Sequence, residues 1–399
     1  MTELEFRLQP GLSPQPTKTK SKKKIPMKII KKLTSAARAV APLLSTQIKL
    51  AAALALLALP ARADTFGSGV NTFTIDFVDI GNPGNGEDLG DGDGSYSAPY
   101  GGVAYIYRMG VTEAPQDWIT KATRLGMTNV TAGAWSAKQP AANMTWYEAA
   151  AFVNWLNTST GHQAAYDLTY NGGWSMNLWS SAQAWQAGGE NLYRHKDAYY
   201  FLPSEDEWYK SAYHKNDGVT ANYWDYATGN NTIPKAVASG TGAGTVVYNQ
   251  SQPATVDNNG GLSPYGTRGQ SGNAAEWQES AFDGANNSSS EARAIRGGVW
   301  SFSESFLRSS HSSDHGPSSS DALFGFRVAS VPEPARLQAL GPGVLRIQSW
   351  KGMAFEVQAS TDLDQWSPLT SMTNLTGTLE FTDPDTASHS RRFYRTVLR

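Results

Sequence analysis

Six histidines and no cysteine bound the chemistry open to this 399-residue chain. Without a thiol there is no cysteine nucleophile, no thiolate for a soft metal and no disulfide. His311, Asp314 and His315 are metal-capable types close together, with the two imidazoles four positions apart. On a helix that spacing aims both rings at one ion. Here it lies in a Ser-rich stretch, 309–320, with no helical period, and reads as a loop rather than a zinc site. His195 and His214 stand in no triad or nucleophile-elbow pattern. Asp91-Gly-Asp93 is similar to the start of a calcium loop but lacks the closing glutamate, so a solvated loop is expected. Gly240-Thr-Gly-Ala-Gly244 has neither the lysine nor the strand–turn–helix setting of a phosphate cradle. No catalytic residue is assigned.

The elements that must position any site are read next. Residues 72–80 alternate like a strand and end at the turn Gly81-Asn-Pro-Gly84; 103–113 form a second β-rich run. Thr145-Trp-Tyr-Glu148 and Ser204-Glu-Asp-Glu207 are capping boxes and predict helices after them. Ala149, Phe152, Trp155 and Leu156 then share one face of the first helix, and Trp208 and Ala212 one face of the second. From 215 to 320 short apolar pieces alternate with Gly, Asn and Ser, which predicts fixed loops around a small sheet. Val331-Pro-Glu-Pro334 opens a linker, 331–340. Residues 344–349, 355–360 and 392–397 alternate again, with turns at Gly341-Pro-Gly343 and Asp383-Pro-Asp385. A small all-β sandwich over 341–399, with Trp350 and Trp366 in its core, is expected.

The net charge of −2 hides a split. Residues 1–63 carry 12 Lys/Arg against 2 Asp/Glu, a surplus of +10; the remainder carries 21 against 33, a surplus of −12. An acidic body does not suit nucleic acid, which needs a basic face. The basic run 18–32, the ten apolar residues 50–59 and Pro60-Ala-Arg-Ala63 read as a signal peptide cleaved before Asp64. Ten apolar residues are too few to span a bilayer, which takes about 20. Export to the periplasm, cell surface or medium follows, with no transmembrane helix after cleavage. Eleven of the 13 Trp fall between 118 and 300, which places the large core there.

Several motifs in order carry a resemblance. They are Tyr107-Arg-Met-Gly-Val-Thr-Glu113, Pro140-Ala-Ala-Asn-Met-Thr-Trp146 leading to Phe152-Val-Asn-Trp155, and Phe201-Leu-Pro-Ser-Glu-Asp-Glu-Trp208. Gly272-Asn-Ala-Ala-Glu-Trp277, Arg296-Gly-Gly-Val-Trp300 and Gly325-Phe-Arg327 follow. Together they resemble the formylglycine-generating enzyme, or sulfatase-modifying factor, family, in an exported bacterial subgroup with a Val-Pro-Glu-Pro junction. The resemblance implies an α+β, loop-rich, C-type-lectin-like domain over 64–330. Trp277, Arg296, Gly297, Gly298 and Arg327 are read as scaffold: core rings, close backbone approach, and arginines able to grip carboxylates.

What the resemblance implies about metals divides in two. A calcium site is implied at Asn273, Ala274 and Glu276, with Gly269 standing where an upstream Asp or Asn is usual, and with Asn249 as candidate for a second site. The plain alternative is that Glu276 caps a helix or pairs with an arginine. Copper is held in the family by two thiolates, and those positions are Phe302 and Leu307 here, so copper and the cysteine-oxidising reaction are not expected. The resulting reading is a non-catalytic envelope module, a pseudoenzyme, with Trp300, Phe302 and Phe306 flooring a groove for a peptide, protein or glycan ligand. Two alternatives stand beside it. One is an enzyme of the same family with cysteine-independent chemistry; the other is a structural surface-assembly protein.

Overall fold

A computed structural model describes residues 62–90, 99–131, 133, 135–332, 335–349 and 353–398. The expected signal segment up to residue 61, Asp91-Gly-Asp93, Pro334 and Trp350 lie outside the described residues. Strand β1, Arg62–Phe66, begins just ahead of the expected cleavage point.

The architecture is mostly β with few helices. β1 pairs with β2, Phe73–Ile80, whose alternating F-T-I-D-F pattern sends Phe73, Ile75 and Phe77 into the core. β2 pairs with β3, Tyr107–Gly110, which is shorter than the expected 103–113 run. The sheet continues through two-residue strands, β4 at Tyr200–Phe201 and β9 at Ala329–Ser330, in the order β1-β2-β3-β9-β4.

Three α-helices lie among the described residues: α1, Gln116–Arg124; α2, Trp146–Ser159; and α3, Glu205–Tyr213. Both capping boxes form. Thr145 closes on Glu148 at the start of α2, and Ser204 closes on Glu207 at the start of α3. Ala149, Phe152 and Leu156 of α2 are fully buried, and Trp155 packs half-buried beside them.

A second sheet carries the motif-rich half. It consists of β5, Ala275–Ala281; β6, Arg293–Arg296; β7, Ser313–His315; and β8, Phe324–Phe326, in the order β7-β6-β5-β8. β5 runs antiparallel to β6 and parallel to β8. Every residue of β5 is buried, so its two glutamates, Glu276 and Glu279, sit inside the protein. The 309–320 stretch expected as loop contains β7, whose Ser313 and His315 face Ile295 and Arg293 across the ladder.

Beyond residue 335 two three-stranded antiparallel sheets follow. One is β10 (Arg336–Gly341), β11 (Val344–Gln348) and β14 (Thr378–Thr382), with β11 central. The other is β12 (Ala354–Ser360) between β13 (Ser367–Thr373) and β15 (Phe393–Leu398). Leu337, Ile347, Phe355 and Val357 from both sheets share one apolar cluster, which Ile106 joins. β10 occupies residues expected as linker, because Leu337 buries its side chain there and pairs with Ile347. Trp366 is not in that cluster. It lies half-buried under Arg395, whose guanidinium carbon is 4.3 Å from the ring centroid.

Candidate functional site

The Arg-Gly-Gly motif ends β6 and sets the geometry around it. Arg296 is buried. Its Nε donates to Glu205 of α3 at 2.6 Å, and one terminal nitrogen donates to the carbonyls of Ser309 (2.8 Å) and His311 (3.1 Å). The guanidinium thus fastens the 309–311 loop to the helix. Gly298 follows with φ +70, and a Cβ there would lie 2.8 Å from the Phe306 carbonyl. That contact explains the glycine: the 3-10 turn Glu304–Leu307 packs directly on its Cα.

This turn carries the surface expected to bind a ligand. Phe302 is 41% exposed, and its ring centroid is 4.8 Å from that of Phe306, which is 4.8 Å from the ring of His311. Burial, and then the nearby Arg296, lower the His311 pKa, so the ring is neutral at neutral pH. The backbones of Trp300 and Phe302 are held by N–H groups of Gln250 and Asn249. Trp300 leaves the trio: its ring meets Trp135 edge-on at 5.6 Å, half-buried. Leu307, at the second position where the family places a thiolate, is fully buried. Neither Phe302 nor Leu307 offers a donor atom, so the residues do not fit copper.

The positions expected for calcium are occupied differently. Arg327 grips Glu276 with two nitrogens, each 2.6 Å from a different carboxylate oxygen, and the Trp208 indole N–H donates to one of those oxygens at 2.6 Å. Asn273 accepts from the Ala254 N–H and donates to Glu113, as does the Ala274 N–H. Gly269 has φ +79, and a Cβ there would be 2.5 Å from the Asn259 amide nitrogen and 2.8 Å from the Glu113 carboxylate. The room of an upstream calcium ligand is therefore filled by Glu113 and Asn259. A guanidinium beside Glu276 and amide N–H groups aimed at Glu113 are a donor set for carboxylates, not for a cation, and do not fit calcium. Asn249 is tied to Phe302 through its backbone.

Burial, and then Glu276, push the Glu113 carboxyl up to about 8 against the opposing pull of Arg327. His311, Asp314 and His315 do not converge. His311 faces Phe306, His315 packs on Phe324 at 4.6 Å, and Asp314 between them is exposed. Among the described residues no group of three His, Asp or Glu could hold a metal.

Sequence reasoning missed a deep ionic knot. Arg194 forks onto Glu207 (2.8 and 3.0 Å) and onto Glu279 (2.6 to 3.0 Å), and the Tyr105 and Tyr166 hydroxyls donate to the same carboxylates. The available signal was Glu-Trp-Gln-Glu between small residues in a strand buried on both faces, where each acid needs an arginine. Asp64 and Arg108 form a second such pair at 2.6 Å, shared with Tyr200.

The sequence profile of the sulfatase-modifying factor enzyme 1-like domain matches residues 103–331. No curated protein matches the chain. Solved structures similar to it include Treponema denticola variable protein 1, at 19% identity and TM-score 0.48 over 68% of this chain and 100% of that one. CarF is similar at 18% identity and TM-score 0.47, over 65% of this chain and 99% of that one. PvdO from Pseudomonas aeruginosa follows at 15% identity and TM-score 0.41, over 69% and 100%. With the ordered motifs built into one domain and the profile covering more than half its length, this chain belongs to the sulfatase-modifying factor, formylglycine-generating-enzyme-like family and its C-type-lectin-like fold.

Proposed function

We propose that the protein is a non-catalytic recognition module exported to the cell envelope, and that it holds an extended peptide or a glycan against Phe302 and Phe306. The observation that carries this reading is Phe302. An exposed ring tilted against a second ring stands where the family's reaction needs a thiolate. Exposed paired rings give ligand contact area at low entropic cost. The 1–63 segment supports export as a signal peptide, and the two C-terminal sheets support a small β-sandwich that spaces or anchors the recognition domain.

Residues 64–399 should be screened against peptide and glycan arrays beside a Phe302→Ser variant. Expected is a binder in one array that the variant loses. Failure of the wild type in both arrays, or conversion of a cysteine in a sulfatase peptide to formylglycine, would overturn the reading.

A further inference from the structure

A cavity of about 420 Å³ opens at the start of α3, lined there by Ser204, Glu205 and Asp206. None of residues 296–311 lines it, so it is separate from the Phe302–Phe306 surface. Its volume is that of a small-molecule site.

The lining decides the ligand. Tyr100, Tyr105 and Trp185 supply ring walls, the last two in edge-to-face contact at 5.3 Å. Arg194 also reaches the wall, but Glu207 and Glu279 already take its charge. Glu205 is likewise matched by Arg296. Three further carboxylates line the cavity: Asp206 within it, and Glu190 and Asp283 in exposed positions. Among the described residues none of the three has an ion-pair partner. The Asp206 carboxylate takes one hydrogen bond, from the Gly101 N–H at 2.8 Å. Burial, with Glu205 and Glu87 adding repulsion, pushes its carboxyl up to about 6, so it is charged at neutral pH without a counter-ion.

We propose that this cavity binds a small organic cation, a primary ammonium on an apolar arm. The ammonium supplies the counter-charge that Asp206 lacks, and the arm lies against the rings. A neutral sugar would satisfy the rings but leave the surplus negative charge uncompensated. A free diamine and a lysine side chain share this chemistry.

Calorimetric titration of residues 64–399 with cadaverine, with Nα-acetyl-lysine amide and with neutral 1-pentanol tests it. Both amines should bind one to one, the tighter of the two identifying the source, and 1-pentanol should bind at least about tenfold more weakly. Asp206→Asn keeps the acceptor for Gly101 and should weaken the amines about tenfold. Asp283→Asn, at an exposed position where folding is not at issue, should weaken them less but in the same direction. Phe302→Ser should leave them unchanged, which separates this site from the recognition surface. No binding of either amine, equal binding of the alcohol, or unaltered affinity in both aspartate variants would each refute the proposal.

Discussion

Arg327 meets Glu276 as a fork. Its Nε and one terminal nitrogen each lie 2.6 Å from a different carboxylate oxygen, and both side chains are fully buried. The same guanidinium donates to the carbonyls of Gly110 and Arg268, so one side chain joins β3, β5 and the 268–270 turn. Removing one partner of a buried pair strands the other charge and typically costs about 3–5 kcal/mol, whereas replacing both by apolar residues is far milder. Arg327→Met should lower the unfolding free energy by that order, and the double variant Glu276→Leu/Arg327→Met should recover part of the loss. Denaturant titration reads both. A single variant within about 1 kcal/mol of wild type would contradict the buried pair.

That fork also bears on the calcium expected at Glu276. Because Glu276 and Glu113 are satisfied by a guanidinium and by N–H donors, the melting temperature should be the same in EDTA and in millimolar calcium. A rise on adding calcium would show that the donors rearrange around a cation.

Helices α2 and α3 were legible because their signals are local: Thr145 with Glu148 and Ser204 with Glu207 lie three residues apart, whereas α1 follows Pro115 with no side-chain cap and gives no such signal. The partners that hold the site are remote. Arg194 and Glu279 are 85 residues apart, and Arg296 and Glu205 are 91. No spacing rule links them, so the sequence could show that buried acids need arginines but not which ones. β7 was hidden because its Ser-rich composition reads as loop until Arg296 and β6 hold it as an edge strand. β13 and β14 were missed because much of each strand is solvent-facing and lacks a clean apolar alternation. Trp366 looked like a core ring by type, yet arginine stacking suits it at the surface. Trp300, expected beside Phe302, turns to Trp135, a partner 165 positions earlier that nothing local announces.

Glu113 makes stability fall with rising pH. Its carboxyl titrates near 4.5 when unfolded and is pushed up to about 8 when folded. Between those values the native state holds the extra proton, so each rise in pH favours the unfolded chain, by up to roughly 1.4 kcal/mol per unit. The contribution is fully present below pH 4.5 and lost by pH 8. Glu113→Gln removes the titration and should flatten the stability curve between pH 5 and 8. A variant curve parallel to wild type there would rule out Glu113 as the source.

Lys210 acts with the opposite sign. It is fully buried, its ammonium donates to the Asn82 carbonyl at 2.9 Å, and burial lowers its pKa to about 7. The unfolded lysine titrates near 10.5, so between pH 7 and 10.5 the unfolded chain binds the extra proton. Stability from this group therefore rises with pH across that window and is lost as pH falls toward 7. Lys210→Met should stabilise the protein most at pH 7 and least near pH 10. Melting curves at the two pH values decide it, and a gain that grows with pH would count against the assignment.

Gly298 couples backbone strain to the recognition surface. A methyl group there would meet the Phe306 carbonyl at 2.8 Å and Leu307 Cδ2 at 2.9 Å, and its φ of +70 already disfavours any side chain. Gly284 has nearly the same φ, +75, with no atom within 4 Å of the corresponding Cβ. Gly284→Ala therefore measures the cost of φ alone, about 1 kcal/mol, while Gly298→Ala adds displacement of the 304–307 turn, about 1–3 kcal/mol more. Because that turn carries Phe306 against Phe302, Gly298→Ala should also weaken whatever ligand the Phe302→Ser variant loses, and Gly284→Ala should not. Equal stability losses in the two alanine variants would mean that the turn yields freely, and the ring pair would then owe nothing to the glycine.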